Sequence, residues 1–334
     1  MSTARLVSAT LHDASDLWAL RAAARRAARG LARRRGAAAF LADLDTECLR
    51  LQRELREGRY QPGAFHHFAI RDPKPRRISV APFRDRVVHH AVCAVMEPTF
   101  EAYADPDSYA CRVGKGTLAA IQRAQLLARG SPWFAKLDVH HCFETADVAR
   151  LSGRLAEAFE DPALLAVVDR ILRAGTDDQG RGLPIGNLTS QHFANFMLGV
   201  LDLRARAAGA QGYVRYMDDI LVFGASKSQV TGIAESLADA MARDLNQREK
   251  LSARRIAPAS AGVPCLGFRI WPHLVRFDGP RRRRFLRHAH EIEHAREAGW
   301  LGDADAAVRG AALVAWARFG NTLRFRQALW HSPR

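Results

Sequence analysis

The segment Tyr213-Val214-Arg215-Tyr216-Met217-Asp218-Asp219-Ile220-Leu221-Val222-Phe223 carries the clearest fold signal in the chain. Two runs rich in β-branched and aromatic residues flank a pair of consecutive carboxylates, the pattern of a tight hairpin between buried strands. Strands are expected at Tyr213–Tyr216 and Ile220–Phe223, with Met217-Asp218-Asp219 between them. Asp is common in ordinary polar turns, but such turns are usually peripheral, and Val214 with Ile220 to Phe223 puts this one in a core. Adjacent carboxylates repel each other and gain nothing structurally in water. Around a divalent cation the same pair is favourable.

A third carboxylate stands at the end of another apolar run, Phe134-Ala135-Lys136-Leu137-Asp138-Val139. It lies far upstream of Asp218, so only a folded sheet brings the two together. Acidic groups from a strand end and a hairpin tip are what a two-metal centre needs. Such ions sit about 3.5–4 Å apart and stabilise both the attacking and the leaving oxygen of a displacement on phosphorus. The expected ligands are Asp138, Asp218, Asp219 and the backbone carbonyl of Val139.

The bulk composition agrees with a polyanionic partner. The chain has 334 residues, is 48% hydrophobic and carries a formal charge of +15. Its length predicts two or three subdomains, and its charge attracts nucleic acid. A membrane surface is the rival partner, but there is no apolar run of spanning length and no signal peptide, so a cytoplasmic protein without membrane contact is expected. The five cysteines, Cys48, Cys93, Cys111, Cys142 and Cys265, are scattered and form no Cys-x-x-Cys pair. They read as reduced, mostly buried thiols. Histidine pairs at 66–67, 89–90 and 140–141 diverge on either a strand or a helix and have no partner at zinc spacing.

Along the chain, residues 1–63 predict a helical extension. Ala22 to Arg35 reads as a solvated basic helix or a phosphate-contacting arm. Phe40, Leu44, Cys48, Leu51 and Leu55 then mark one buried helical face. Strands at Phe65–Ile70 and Arg77–Val80 enclose a basic turn, and helices start near Arg84 and after Gly116, with Thr117 as cap. Helical sequence runs from about Thr145 to Arg173, from Asn187 to Ala208 and from Lys227 to Leu245. A strand is expected around Leu266–Ile270, and the Arg-rich tail after Gly279 reads as helical. Strands mixed with long helices predict an α+β fold.

Together these segments resemble the reverse transcriptase family, over roughly Phe65 to Arg276. The resemblance implies a right-hand polymerase: fingers at 64–130 and 145–210 with parts of the palm, palm core at 131–144 and 211–275, and a short thumb at 276–334. Lys136-Leu137-Asp138-Val139-His140-His141-Cys142-Phe143 matches the family's first palm motif and Tyr216–Asp219 its Tyr-x-Asp-Asp motif. The resemblance implies catalysis by Asp138, Asp218 and Asp219 with two Mg²⁺ ions, Mn²⁺ being able to substitute. Phe143, otherwise a plain core residue, stands where the family keeps a steric gate against the 2′-hydroxyl. Lys74 and Arg76 match the family's triphosphate-contacting residues; without that match they would read as a solvated charge run.

Gly182-Leu183-Pro184-Ile185-Gly186-Asn187-Leu188-Thr189-Ser190-Gln191 is the most discriminating segment. Group II intron enzymes show Gln-Gly and Ser-Pro where Ile185-Gly186 and Ser190-Gln191 stand here. The variant resembles the reverse transcriptases of diversity-generating retroelements, which copy a template-repeat RNA with errors opposite adenine. That implies Ile185 and Gly186 at the dNTP site, with Ile185 loosening geometric selection; the bland alternative is a buried aliphatic residue before a helix. It also implies a template RNA, a DNA primer, an RNA–DNA hybrid and a small basic accessory protein as partners. Arg112, Gln191, Tyr216, Met217, Gly267, Arg281, Arg283 and Arg284 are expected at nucleic acid. The residue that protonates pyrophosphate stays open between Lys250 and Arg254. Gly114-Lys115-Gly116-Thr117 lacks phosphate-loop spacing and implies no nucleotide hydrolase.

Overall fold

Alanine-rich sequence at the N-terminus folds into four helices, α1 (Leu11–Ala14), α2 (Leu17–Ala27), α3 (Arg35–Ala42) and α4 (Leu44–Arg56). The structure, a computed structural model, describes residues 9–71 and 75–331. Asp16 caps α2 by accepting from the amides of Trp18 and Ala19. The stretch expected to be a solvated basic helix has an apolar side: Leu20, Ala23, Ala24 and Ala27 are buried. Methyl side chains let α2 approach α5 (Phe83–Tyr103) closely. The face expected to run unbroken from Phe40 to Leu55 is interrupted at Asp43, between α3 and α4.

Between α4 and α5 lies the hairpin β1 (His66–Ile70) and β2 (Arg76–Val80), antiparallel with His67 opposite Ser79. Its base is held by the buried Asp85, which accepts from the Tyr60 hydroxyl at 3.0 Å and the Gly63 amide at 2.8 Å. Burial, reinforced by the Asp85 charge and that hydrogen bond, pushes the Tyr60 hydroxyl far above the ordinary phenol range.

The remaining helices are α6 (Thr117–Gly130), α7 (Val148–Ala158), α8 (Pro162–Arg173), α9 (Leu188–Ala207), α10 (Lys227–Arg243), α11 (Gly279–Glu297), α12 (Asp303–Ala317) and α13 (Leu323–His331). Thr117 begins α6 and does not cap it; Gly116 takes that place, and the Thr117 hydroxyl donates to Tyr216 at 3.2 Å. The single helical run expected from Thr145 to Arg173 is two helices. Asp161 accepts from the amides of Ala163 and Leu164 and Pro162 occupies the first turn of α8, so the chain restarts there.

Seven strands follow β2: β3 (Trp133–Asp138), β4 (Gly212–Tyr216), β5 (Asp219–Gly224), β6 (Arg255–Pro258), β7 (Val263–Cys265), β8 (Phe268–Trp271) and β9 (Leu274–Phe277). A four-stranded sheet has the order β4-β5-β3-β6 with antiparallel pairing throughout, and β7-β8-β9 form a separate three-stranded sheet. One face of the larger sheet presents Phe134, Val214, Leu221 and Phe223 to Ala120, Ile121, Ala124 and Ala128 of α6 and to Val263, Cys265 and Phe268.

The chain divides into two units that differ from the expected subdomains. One comprises 1–106, 139–203 and 239–249; the other comprises 107–138, 204–238 and 250–334. In the second unit α6 packs on β4 and on β8. Two hydrogen bonds tie the chain after β9 to the three-stranded sheet. Arg281 of α11 donates to the Leu266 carbonyl at 2.5 Å, and the Asn321 amide donates to the Val275 carbonyl at 2.7 Å.

Candidate active site

The β3–β5 register sets Asp138 directly opposite Asp219 and Lys136 opposite Leu221. Residues paired in this way share a face, with Cα atoms about 5 Å apart. Asp218 lies between β4 and β5, next to Asp219, where Met217 takes a left-handed backbone at φ 53°. All three acidic residues therefore lie at one end of the sheet.

Lys136 lies two residues before Asp138 and on the same face, so its side chain runs along the strand toward the same end. Its Nζ contacts both oxygens of Asp219, Oδ1 at 2.6 Å and Oδ2 at 2.8 Å, and lies 3.4 Å from the Pro264 carbonyl. Only the Oδ2 and Pro264 approaches have hydrogen-bond geometry, and Oδ1 is a buried atom without such a bond. Burial pulls the Lys136 pKa down, but the Asp219 charge and hydrogen bond, with Cys265 and Asp138, outweigh it and leave a net rise. Burial, then the charge of Asp219, pushes the neighbouring Cys265 thiol well above its ordinary range, with Lys136 acting against both. Lys250 also reaches the acidic end: its amide donates to the Asp138 carbonyl at 2.8 Å, and Nζ lies 3.9 Å from Asp138 Oδ1.

Oxygen donors at a strand end and a hairpin suit a hard divalent cation. Among the described residues, no group of three or more His, Cys, Asp or Glu side chains is assembled as a metal site. The Asp219 carboxylate is engaged by Lys136. The acidic residues are oxygen donors of the kind a divalent ion takes, and the backbone places them at one end of the sheet.

The residues around the hairpin are packed and hydrogen-bonded. Tyr216 is half-buried and Met217 is buried. Arg215 is 1% exposed and donates to the Met217 carbonyl at 3.4 Å. Arg112, expected at nucleic acid, donates to the Ser108 carbonyl of its own loop at 2.9 Å. That loop is anchored by the buried Asp107, which accepts from Arg123 at 2.8 Å and Arg206 at 2.9 Å, while its carbonyl accepts from the Arg215 amide at 2.9 Å.

Other expected site residues lie in the unit that contains β1 and β2. Lys74 is outside the described residues; Arg76 is exposed and starts β2. Val139 is buried and bridges Glu249. Phe143 is half-buried, and its carbonyl accepts from the Leu183 amide at 2.7 Å. The Ile185 carbonyl accepts from the Ser79 amide at 2.8 Å, so the half-buried Ile185 is held beside β2. Gly186 has φ 112°, and a Cβ there would lie 2.8 Å from Ile78 Cγ2. Asn187, not singled out from the sequence, completes this attachment by donating to the Ser79 carbonyl at 2.8 Å. Gln191, with Arg86, His89, His90, Gly186 and Asn187, lines a cavity of about 390 Å³.

On α11 stands Arg281, expected at nucleic acid. Its guanidinium turns inward, 4.9 Å from the Phe268 ring and 4.8 Å from the Trp316 ring. Burial lowers its pKa, Arg284 adds to that and Asp278 opposes it. Gly267, also expected at nucleic acid, sits beneath it: φ is 81°, and a Cβ would meet Arg281 Nη1 at 2.5 Å. Arg283 is exposed and Arg284 half-buried. Lys136, Arg215 and Asp107 were the functional neighbours missed. Their only sequence signal is a charged residue inside or beside an apolar run.

Hairpin, register and acidic end define the palm of a right-hand nucleic-acid polymerase. Residues 70–268, more than half the chain, match the sequence model for reverse transcriptase (RNA-dependent DNA polymerase). The chain belongs to that family. It is 26% identical over 162 residues to the putative COX1/OXI3 intron 1 protein of Saccharomyces cerevisiae, covering 46% of this chain and 19% of that one. It is 25% identical over 276 residues to Protein YkfC of Escherichia coli, covering 69% and 72%. To the group II intron-encoded protein LtrA of Lactococcus lactis it is 24% identical over 157 residues, covering 44% and 26%. The chain thus spans about a fifth of the yeast relative and about a quarter of LtrA. In fold it is similar to the apo telomerase of Candida tropicalis, with TM-score 0.51 and 13% identity over 65% of this chain and 49% of that one. No helix among the described residues is long and apolar enough to cross a membrane.

Proposed function

We propose that this protein is an RNA-directed DNA polymerase of a diversity-generating retroelement, making cDNA from a template-repeat RNA with errors opposite adenine. The observation that carries the polymerase reading is the register that sets Asp138 opposite Asp219 beside Asp218, within the family-matched segment. The retroelement reading rests on Ile185-Gly186 and Ser190-Gln191.

Asp138 and Asp218, with Asp219 and the Val139 carbonyl, are the residues to hold divalent ions, Mg²⁺ with Mn²⁺ as substitute. When bound, such ions supply charge neutralisation for the triphosphate and Lewis acidity at the attacking and leaving oxygens. The chain's own residues do the positioning. Lys74 and Arg76 contact the triphosphate, Phe143 packs under the sugar, and Ile185 and Gly186 border the nascent pair. Lys250, beside Asp138, can carry a proton to pyrophosphate. Arg283 and Arg284 contact phosphates of an RNA–DNA hybrid, which is held by shape and backbone. A small basic accessory protein and a cytoplasmic setting belong to the same proposal.

Primer extension on an RNA template with dNTPs and Mg²⁺ tests the activity, and Asp138→Ala and Asp218→Ala should each abolish it. Undiminished synthesis by either variant refutes the metal assignment. Binding without extension, even with accessory protein, would make the chain a silent RNA binder. The second reading is an intron-like enzyme, favoured by the names of the yeast and Lactococcus relatives. Products copied from adenine-containing templates separate the two: uniform fidelity across the four bases supports the intron-like reading.

A further inference from the structure

We propose that the cavity between β9 and the start of α13 is a binding site for single-stranded nucleic acid. Phosphates sit on Arg276 and Arg324, and a base lies on the guanidinium plane of Arg282. The cavity shares no lining residue with the acidic end of the larger sheet, and it includes neither Arg283 nor Arg284.

Close backbone approaches build it. Gly320 lies so near β9 that a Cβ would meet the Val275 carbonyl at 2.9 Å. Asn321 then pairs with Val275 in both directions: its amide donates to the carbonyl at 2.7 Å, and its side-chain oxygen accepts from the amide at 2.8 Å. These contacts hold the start of α13 beside β9. Leu274, Arg276 and Phe277 of β9, Arg282 of α11 and residues 320–326 line a cavity of about 790 Å³. Sites for small ligands span about 300–1,000 Å³, so a nucleotide fits.

Its charge selects a polyanion. Four arginines line it, Arg276, Arg282, Arg324 and Arg326, and among the described residues no carboxylate does. Arg276 also stands directly opposite Arg269 in the β8–β9 register. Like charges placed in this way destabilise a sheet, and a bound anion relieves the repulsion. The first amides of α13 add to the field, because a helix leaves them without intrahelical partners. The Thr322 hydroxyl beside them is engaged elsewhere, donating to the Ala317 carbonyl at 2.5 Å and accepting from Arg326 Nε at 3.3 Å.

Arg282 favours a nucleotide over a bare anion. Its guanidinium lies over the Phe325 ring, 5.4 Å from the centroid, and Phe325 packs on Phe277 and Phe285. The ring cluster backs one side of an otherwise exposed residue. Guanidinium planes and aromatic rings are the surfaces on which unpaired bases stack. Bases inside a duplex are already stacked on one another, so the site selects single strands.

The test uses the full chain with excess RNA–DNA hybrid duplex, so that duplex-binding surfaces are filled. A fluorescein-labelled oligouridylate reports binding by anisotropy, with oligothymidylate in parallel and inorganic polyphosphate as competitor. Arg276→Gln combined with Arg324→Gln should weaken oligouridylate binding by on the order of tenfold. It should also flatten the plot of log affinity against log salt by about 1.4, from two phosphates at about 0.7 each. Arg282→Lys keeps the charge and removes the plane. It should weaken oligouridylate binding by about fivefold or more, with the salt slope and polyphosphate competition unchanged. Of the two strands, the one bound more tightly is the one the site holds. Unchanged affinity and slope in the double variant overturn the proposal, and so does displacement of oligouridylate by the duplex. If Arg282→Lys weakens neither strand while the double variant weakens polyphosphate as much as oligouridylate, the cavity is a plain anion patch and the nucleotide reading fails. Crosslinking with a thiouridine-containing oligonucleotide keeps the test decisive where a variant does not fold. Adducts should map to 274–282 or 320–326, and their absence there refutes the site.

Discussion

The guanidinium of Arg281 lies over the ring of Trp316, 4.8 Å from its centroid, and fastens the first turn of α11 to α12. The same group stacks on Phe268 and donates to the Leu266 carbonyl, so it is a packing element. Planar stacking plus directed donation is a role Lys does not reproduce. Arg281→Lys should therefore cost about 1–3 kcal/mol, seen as reduced resistance to urea, with the salt dependence of RNA binding unchanged. Exposed Arg283 should behave oppositely. Arg283→Ala should leave stability intact and flatten the plot of log affinity against log salt by about one unit. An Arg281→Lys variant that alters the salt slope and not the stability would return Arg281 to the nucleic-acid surface.

Gly186 gives a second prediction. Its φ of 112° and its contacts with Ile78 and the Ser79 carbonyl leave no room for a side chain. Gly186→Ala should cost about 1–3 kcal/mol from backbone strain alone. The damage should be local, because Asn187 and Ile185 tie this loop to β2. Hydrogen exchange should show faster exchange at the Ser79 amide in the variant; unchanged protection there would contradict the described attachment.

Acid sensitivity follows from His89. Burial first, then the charges of His90 and Arg86, lowers its pKa from 6.5 to about 4. In the unfolded chain the imidazole takes up a proton at higher pH than in the fold. The unfolded state therefore binds more protons between these values, so stability rises with pH in that window. Stability associated with His89 is complete above about 6.5 and is lost as the pH falls through 4, to a total of about 3 kcal/mol. Urea midpoints measured from pH 7 to pH 4 should decline, and His89→Leu should flatten the decline. The half-exposed His90 shifts the same way, with solvent screening its share.

Phe143 supplies a prediction on specificity. The residue is half-buried. Phe143→Ala should allow ribonucleotide incorporation, measured as the ratio of rNTP to dNTP efficiency on one template. A ratio equal to that of the parent would reduce Phe143 to a packing residue.

Much of this architecture was legible because local patterns carried it. The hairpin at 213–223 was readable from apolar runs on either side of a polar pair, and Asp138 from its place at the end of a buried strand. Asp161-Pro162 announced a helix start that a longer helical pattern masked. What could not be read depends on register and on distant partners. Lys136 meets Asp219 only because β3 and β5 align as they do. Arg281 looks like one more member of a basic run, and its inward turn is set by Phe268, Trp316 and a glycine that leaves space for it. Thr117 looked like a cap because capping chemistry is local, whereas its hydroxyl bonds to Tyr216 far along the chain.

The strand order β4-β5-β3-β6 has a consequence for synthesis on the ribosome. β3 is made early, yet both of its neighbours, β5 and β6, are translated long after it. A nascent chain that has just completed α9 therefore carries an apolar strand with two bare edges, a template for misassociation. Translational pausing or chaperone capture between residues 208 and 258 should govern the yield of active protein far more than pausing within the helical N-terminus.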